Sequence, residues 1–526
     1  MKVKREYIDI LKIFIDKKTN LSLSEIINNL KYKIEPRTLQ RHIKELITLR
    51  RLVSYGSASS TTYRLRSPEE IMDFFAYVYK NKRYAGVVGF SASLEKFIFS
   101  YDIHYLFSEP IEIIPTLDNP FALIESTELF PVFEELLPEG IDRQALEYQE
   151  KSSSPIALLL ALEQNVGDLS FSKEKSVLTQ DSDVGIFYHM HKKEILGNHD
   201  FPNVLELDIK IDKEKLFIKD IAKATQPSVQ FGLSGQQHKM HVIMDEAHGV
   251  LREPQKSEPT YYFIKPYNKE YTDPTLQKYL PYLSVNEHLH MSFAKNELGF
   301  DVPWSAIIKD GEDWHYIIKR FDKYQNSVFA KTNVSSLMGL NSETKYDTST
   351  EKMAQRVAKE LLDKKERLIF LHYLFYSLLI VHEDMHTKNL SIMHTKNRSF
   401  MSPLYDVATT ALYDSCYGYE SHLTINGKQQ NIRPSDFKVI CQKLDVSFSD
   451  FLRLAREMAL IYADKMPYYI ECLKTLGSMP FYTRKSISSY SKDKRVLKEE
   501  MEFSDILEKE FFERVEKLKE LGWLVV

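Results

Sequence analysis

The residues able to do chemistry concentrate between 382 and 406. His382-Glu383-Asp384-Met385-His386 spells H-E-x-x-H. On a helix its two histidines would share one face and bind zinc, with Glu383 as base toward a metal-bound water. The chain runs straight on into Thr387-Lys388-Asn389-Leu390-Ser391-Ile392-Met393, a turn into a short strand, with no third ligand nearby. The same residues also read as a phosphoryl-transfer loop: Asp384 and Asn389 stand as D-x-x-x-x-N, followed by a short hairpin and Asp406 in SPLYDV. In that chemistry the first Asp accepts an acceptor hydroxyl's proton, while the Asn and the later Asp hold Mg²⁺ on the ATP phosphates. Phosphoryl transfer is the leading reading and a zinc peptidase the minor one.

The elements needed to position such a loop can be read on either side of it. The apolar run 368–381, LIFLHYLFYSLLIV, feeds directly into the loop. It is too short to span a bilayer and reads as a core helix. Upstream, Lys265 stands alone among apolar and aromatic residues in YYFIKPY, where a buried ammonium needs an anionic partner. An ATP phosphate would serve, with Glu287 orienting the lysine. Residues 231–239, FGLSGQQHK, form a small-residue loop whose backbone N–H groups can cradle phosphate. β-rich runs over 200–320 precede a helical remainder, predicting an α+β protein of two lobes with a cleft between them.

Together these segments resemble the HipA-like serine/threonine kinases, toxin components of type II toxin–antitoxin systems. The landmarks are FEELLPEG (133–140), LSGQQHK (233–239), FIKPY (263–267), NEHLHMSFAKNELGFDVP (286–303), IIKRFDKY (317–324), LMGLNSETKY (337–346), HEDMHTKNLSI (382–392) and SPLYDVATT (402–410). The resemblance implies a β-rich N-lobe over 85–324 and an all-helical C-lobe over 325–526. It implies Asp384 as catalytic base and Asn389 and Asp406 as Mg²⁺ ligands. For ATP it implies Ser234, Gly235, Gln236, Gln237, His238, Lys239, Lys265, Lys319, Arg320, Phe321, His386, Thr387, Lys388 and Tyr405. Autophosphorylation of the phosphate loop would fall on Ser234, since Gly232 replaces the first serine of the family's Ser-x-Ser-Gly. Lys319 stands where the adenine-side segment usually begins with an acidic residue. The implied partners are a protein substrate, for which the family offers aminoacyl-tRNA synthetases, an antitoxin and a second copy of the chain.

Residues 1–66 carry 15 Lys+Arg against 6 Asp+Glu, a balance of +9, so the other 460 carry −13. Their pattern is helix, helix, basic helix from Pro36, then a hairpin, the order of a winged helix-turn-helix that would bind duplex DNA. Arg37, Gln40, Arg41 and Lys44 face away from Leu39, Ile43 and Leu46; Lys44, Arg50 and Arg51 suit phosphates. Residues 67–84 read as a helical linker. A DNA-binding regulator with an inactive kinase fold is the alternative to an active kinase. Three cysteines are too few for a disulfide scaffold, and the charged start lacks the apolar core of a signal peptide. These features predict a cytoplasmic protein without a membrane segment.

Overall fold

The computed structural model describes residues 5–57, 60–107, 113–114, 120–176, 184–225, 237–256, 258–395, 398–486 and 495–525. The chain forms two compact units, 1–134 with 152–182, and 135–151 with 183–526. The division falls at neither 66 nor 85.

In the first unit, helices Arg5–Lys17, Leu23–Asn29 and Pro36–Thr48 precede a hairpin of strands Leu52–Tyr55 and Thr62–Leu65. Strand Leu21–Ser22 adds to that hairpin, giving three antiparallel strands. Ser22 caps the second helix, its hydroxyl accepting from the Glu25 amide while Glu25 reaches back to the Ser22 amide. The third helix buries Leu39, His42, Ile43 and Leu46 and exposes Arg37, Gln40, Arg41 and Lys44.

The predicted linker helix over 67–84 is corrected. Only a 3₁₀ turn, Pro68–Ile71, is helical; Phe74–Lys80 and Arg83–Ser91 are strands of a five-stranded antiparallel sheet. FFAYVYK is rich in strand-forming aromatics. The two residues joining the strands, Asn81 and Lys82, both take positive φ (48° and 63°). A two-residue turn of that kind matches strand twist, and without a glycine it was invisible in the sequence.

Arg50 and Arg51 also depart from expectation, because this unit uses them internally. Arg51 is buried; its guanidinium donates to the carbonyls of Phe121 and Pro120 and to Ser100 Oγ, the last at 2.6 Å. Burial pulls its pKa down to about 10. Arg50 pairs with Glu125. Neither is a free phosphate contact. Arg51→Ala is expected to destabilise the protein by roughly 2–3 kcal/mol, because it strands acceptors that a charged donor satisfied. Arg41→Ala, at an exposed position, should stay within about 0.5 kcal/mol. Urea titration of both variants distinguishes them.

The second unit is built on a seven-stranded sheet in the order 208–210, 250–252, 240–245, 262–265, 313–319, 305–310, 204–205. Helix Leu283–Asn296 packs on strands 305–310 and 313–319. It is buried without a break from Ser284 to Ala294, as expected of a helix enclosed on every side. The apolar run 368–381 forms most of helix Lys364–Leu379, which shares its core with helices Phe448–Lys474 and Phe503–Leu521. Trp523, fully buried, lies against Phe375, Phe437 and Phe451 and donates from Nε1 to the Ile432 carbonyl at 2.8 Å.

The region from 325 is helical but not all-helical. Strands 330–333, 391–394 and 399–401 form a sheet, and Pro480–Ser486 pairs with Arg495–Glu502. Among the described residues no helix is long and apolar enough to cross a membrane, and Cys416, Cys441 and Cys472 are unpaired thiols.

Candidate active site

Strand Tyr262–Lys265 lies inside the larger sheet, between 240–245 and 313–319. An interior strand holds its last side chain rigidly, and Lys265 is only 3% exposed. Its ammonium donates to both oxygens of Glu287, at 2.7 and 2.6 Å, and to Asp406 Oδ1. Glu287 comes from the first turns of helix Leu283–Asn296 and is buried. Burial would lower the lysine's pKa, but the Asp406 and Glu287 carboxylates hold it above its ordinary value. Burial would raise Asp406, yet Lys265 and then Lys239 hold it well below the carboxylate range. Glu287 is raised by burial, against the opposing pull of Lys265. Asp406 is therefore the carboxylate held ionised.

The 382–390 loop leaves helix Lys364–Leu379 through Ile380 and a positive-φ Val381 (56°). Strand Ser391–His394 follows, then its hairpin partner Ser399–Met401 and Asp406, itself at φ 61°. A left-handed aspartate is uncommon and is kept where its surroundings over-determine it. The hairpin brings Asn389 to Asp406, with Asn389 Nδ2 donating to the Asp406 carbonyl at 3.4 Å. Asn389 Oδ1 accepts from the His386 amide at 3.3 Å. Within 382–390 only Asp384 is exposed. His386 lies in the field of both Asp384 and Asp406, and burial lowers its pKa to about 4. A carboxylate and an amide offer the oxygen donors that Mg²⁺ takes. Lys265 and Lys239 supply the positive charge phosphates need, so this set fits a metal–nucleotide complex.

The zinc reading does not survive. Residues 382–390 are not helical, so His382 and His386 do not share a helix face. His382 Nδ1 is bonded to the Ala408 carbonyl at 2.7 Å. Glu383 accepts from the backbone amides of Tyr417, Gly418 and Tyr419 at 3.0, 2.7 and 3.0 Å. Its carboxylate is a loop anchor, taken up by those three amides.

Residues 231–466 match the model of the HipA-like C-terminal domain. The chain carries a HipA-like kinase fold. A chain of the Shewanella oneidensis MR-1 complex of HipA, HipB and operator DNA superposes with TM-score 0.57 at 14% identity, covering 85% of this chain and 98% of that one. The Helicobacter pylori proinflammatory kinase CtkA matches with TM-score 0.31 at 13% identity, over 50% of this chain and 89% of that one. A curated relative, the putative kinase Y4dM of Sinorhizobium fredii, is 26% identical over 207 residues, 37% of this chain. The matched segment spans 48% of that relative's length.

Within this HipA-like fold the nucleotide residues expected from the sequence divide into two groups. Asp384, Asn389, Asp406, Lys265 and Lys239 gather around the centre just described. Ser234, Gly235 and Gln236 lie outside the described residues, and Gln237 is half-buried. His238 is anchored: Nδ1 pairs with Asp142 of helix Gly140–Glu150, and Nε2 meets the Lys215 carbonyl at 2.9 Å. The Lys239 amide donates to the same Asp142 at 3.2 Å. Lys319 donates to the Glu194 carbonyl at 2.6 Å, and buried Arg320 forks onto Asp322. Thr387 Oγ1 donates to the Lys345 carbonyl at 2.9 Å. Lys388 is bound to Glu139 and Ser342. Phe321 stacks on Tyr405 at 5.7 Å, and the Tyr405 hydroxyl donates to the Lys388 carbonyl at 2.9 Å.

Sequence reasoning assigned no role to Asp142, Glu139 or Tyr346. All three act across long sequence separations; Tyr346 donates its hydroxyl to Asp384 Oδ1. Lys265→Met would leave Glu287 and Asp406 facing each other with only the more distant field of Lys239 to offset them. We expect it to destabilise the protein by about 3 kcal/mol near pH 8, the low end for a broken buried pair because Asp406 reaches solvent. Without the lysine both carboxyl pKa values rise above their unfolded values. The deficit should therefore be largest where both are ionised and shrink as the pH is lowered towards 5. Urea titrations at the two pH values test this.

Proposed function

We propose that this protein is an ATP- and Mg²⁺-dependent serine/threonine protein kinase of HipA type. The supporting observation is the junction of Lys265, Glu287 and Asp406 beside Asn389 and the exposed Asp384. Asp384 takes the proton of the acceptor hydroxyl. Asp406 and Asn389 hold the metal, and Lys265 and Lys239 bind phosphate oxygens. Bound Mg²⁺ supplies neutralisation of the charge that grows on the phosphates. The left-handed turn at Asp406 and the anchoring of His238 and Lys239 by Asp142 support a site organised before substrate arrives, so little reorganisation is needed at reaction. A protein acceptor, an antitoxin partner and autophosphorylation at Ser234 belong to the same reading.

Asp384→Asn should abolish transfer of label from ATP to protein while leaving ATP·Mg²⁺ affinity nearly intact. Asp406→Asn should lose both. Full kinase activity in either variant overturns the mechanism, and mass spectrometry of the wild-type product tests phosphate at Ser234.

We propose in addition that residues 1–66 form a winged helix-turn-helix that binds duplex DNA. Its support is the exposed basic side of helix Pro36–Thr48 opposite a buried apolar side. The contact set narrows to Arg37, Gln40, Arg41 and Lys44, since Arg50 and Arg51 are engaged within the unit. Substituting Arg41 should weaken discrimination between sequences by roughly 1–3 kcal/mol. Substituting Lys44 should weaken binding to all duplexes and flatten its salt dependence. Gel retardation with the full chain over a salt series is the measurement; salt-insensitive or absent retention rejects DNA binding.

A further inference from the structure

Asp384, the proposed proton acceptor, already has a hydroxyl on its Oδ1, from Tyr346. Tyr346 is half-buried and stands edge-on to His386 at 5.1 Å, with its other neighbour, His422, at 4.3 Å between ring centres. His422 lies 6.0 Å from Tyr417 and 6.4 Å from Tyr419, and those two tyrosines stack on each other at 5.6 Å and 11°. Tyr417 is 75% exposed, an unusual position for a large ring. The loop carrying it is held by backbone, not by its rings: the Tyr417, Gly418 and Tyr419 amides all donate to Glu383, next to the base in sequence. The backbone of the loop is thus tied to the residue next to Asp384, with Tyr417 open to solvent and Tyr419 and His422 half-buried.

We infer that this is the acceptor subsite: Tyr346 holds the place of the acceptor hydroxyl on Asp384, and Tyr417, Tyr419 and His422 form the platform for an extended Ser/Thr peptide with an apolar or aromatic neighbour. The inference rests on the kinase reading and extends it to the acceptor. Two observations carry it. A phenol donating to a carboxylate makes the same hydrogen bond that a serine or threonine must make before transfer. An exposed tyrosine stacked on a second, half-buried one offers large contact area at low entropic cost, the property of a peptide-binding surface. In the transfer, the acceptor O–H breaks with its proton passing to Asp384. The new O–P bond forms as the γ-phosphorus separates from its bridging oxygen, and ADP leaves with that electron pair. Tyr346 must swing off Asp384 first. Its hydroxyl therefore competes with every acceptor, water included.

The test uses the full chain and two readouts. The first is binding, without nucleotide, of a fluorescein-labelled peptide library with a central serine and randomised flanks. Tyr346→Phe should bind about tenfold tighter, the order set by one hydrogen bond to a charged group. Tyr417→Ala should bind several-fold weaker and lose the preference for apolar flanks. The second readout is hydrolysis of Mg-ATP without peptide: Tyr346→Phe should raise it several-fold, and adding Asp384→Asn should return it to background. Unchanged or weaker peptide binding by Tyr346→Phe overturns the inference, as does unchanged or slower hydrolysis. A chain that hydrolyses ATP but leaves the library unbound overturns the assignment of the platform to an extended peptide. Failure of the wild type to bind Mg-ATP would instead reject the kinase reading itself.

Discussion

A single buried ammonium organises the second unit. Lys265 reaches the Glu287 carboxylate on one side and Asp406 on the other, joining the interior strand, the buried helix Leu283–Asn296 and the segment after the 391–401 hairpin. Burying any one of these charges alone is prohibitive, so each requires the others to be in place. The buried Lys265–Glu287 pair thus holds the helix to the sheet, while Asp406, less buried, remains able to face solvent and ligands. Such a pair contributes less to stability than to specifying one arrangement. Here that arrangement presents a carboxylate held ionised at the centre of the site.

Around this centre, buried polar side chains meet backbone at the points where the chain changes direction. Arg514 donates to the carbonyls of Leu378 and Leu379 at 2.6 and 3.1 Å, closing the end of helix Lys364–Leu379 just before the 382–390 loop. A guanidinium there adds a charged donor to the last carbonyls of the helix and complements its dipole. Glu420 in turn binds Arg514 and accepts from the Ile432 amide at 2.9 Å. Glu135 accepts from the Asn333 amide and from Ser336, fixing the start of the short helix Val334–Leu337. Asp142 does the same for His238 and Lys239. The precision of the site is therefore a property of the carboxylates and guanidinium around it, most of them outside the motifs that carry the chemistry.

The H-E-x-x-H string shows how local spelling can mislead. Its histidines and glutamate have the right spacing for zinc only on a helix, and the helix ends at Leu379, before the motif begins. The chain turns there while staying buried, and His382 and Glu383 take backbone partners from distant segments instead of a metal. Glu383 takes three backbone amides of a loop more than thirty residues on. What looked like one constellation is a histidine and a glutamate bonded to separate backbone groups, and the residue beside them, Asp384, is the one left exposed.

Sequence alone was sufficient for the features set by local pattern. The apolar run into the catalytic loop, the D-x-x-x-x-N spacing, the lone lysine in YYFIKPY with its glutamate, and the amphipathic helix from Pro36 all follow from periodicity or from the energetic need of a buried charge. The 67–84 segment was misread because its turn uses Asn81 and Lys82 at positive φ where a glycine would have announced it. Tertiary structure alone decided which cations are free. Arg51, Lys319, Arg320 and Lys388 look identical in sequence to ligand-binding residues. They are engaged because carbonyls and carboxylates from 2 to 249 positions away close on them. Tyr346 met Asp384 for the same reason: a side chain's hydrogen-bond partner is set by the packing of distant segments, and no spacing rule encodes it.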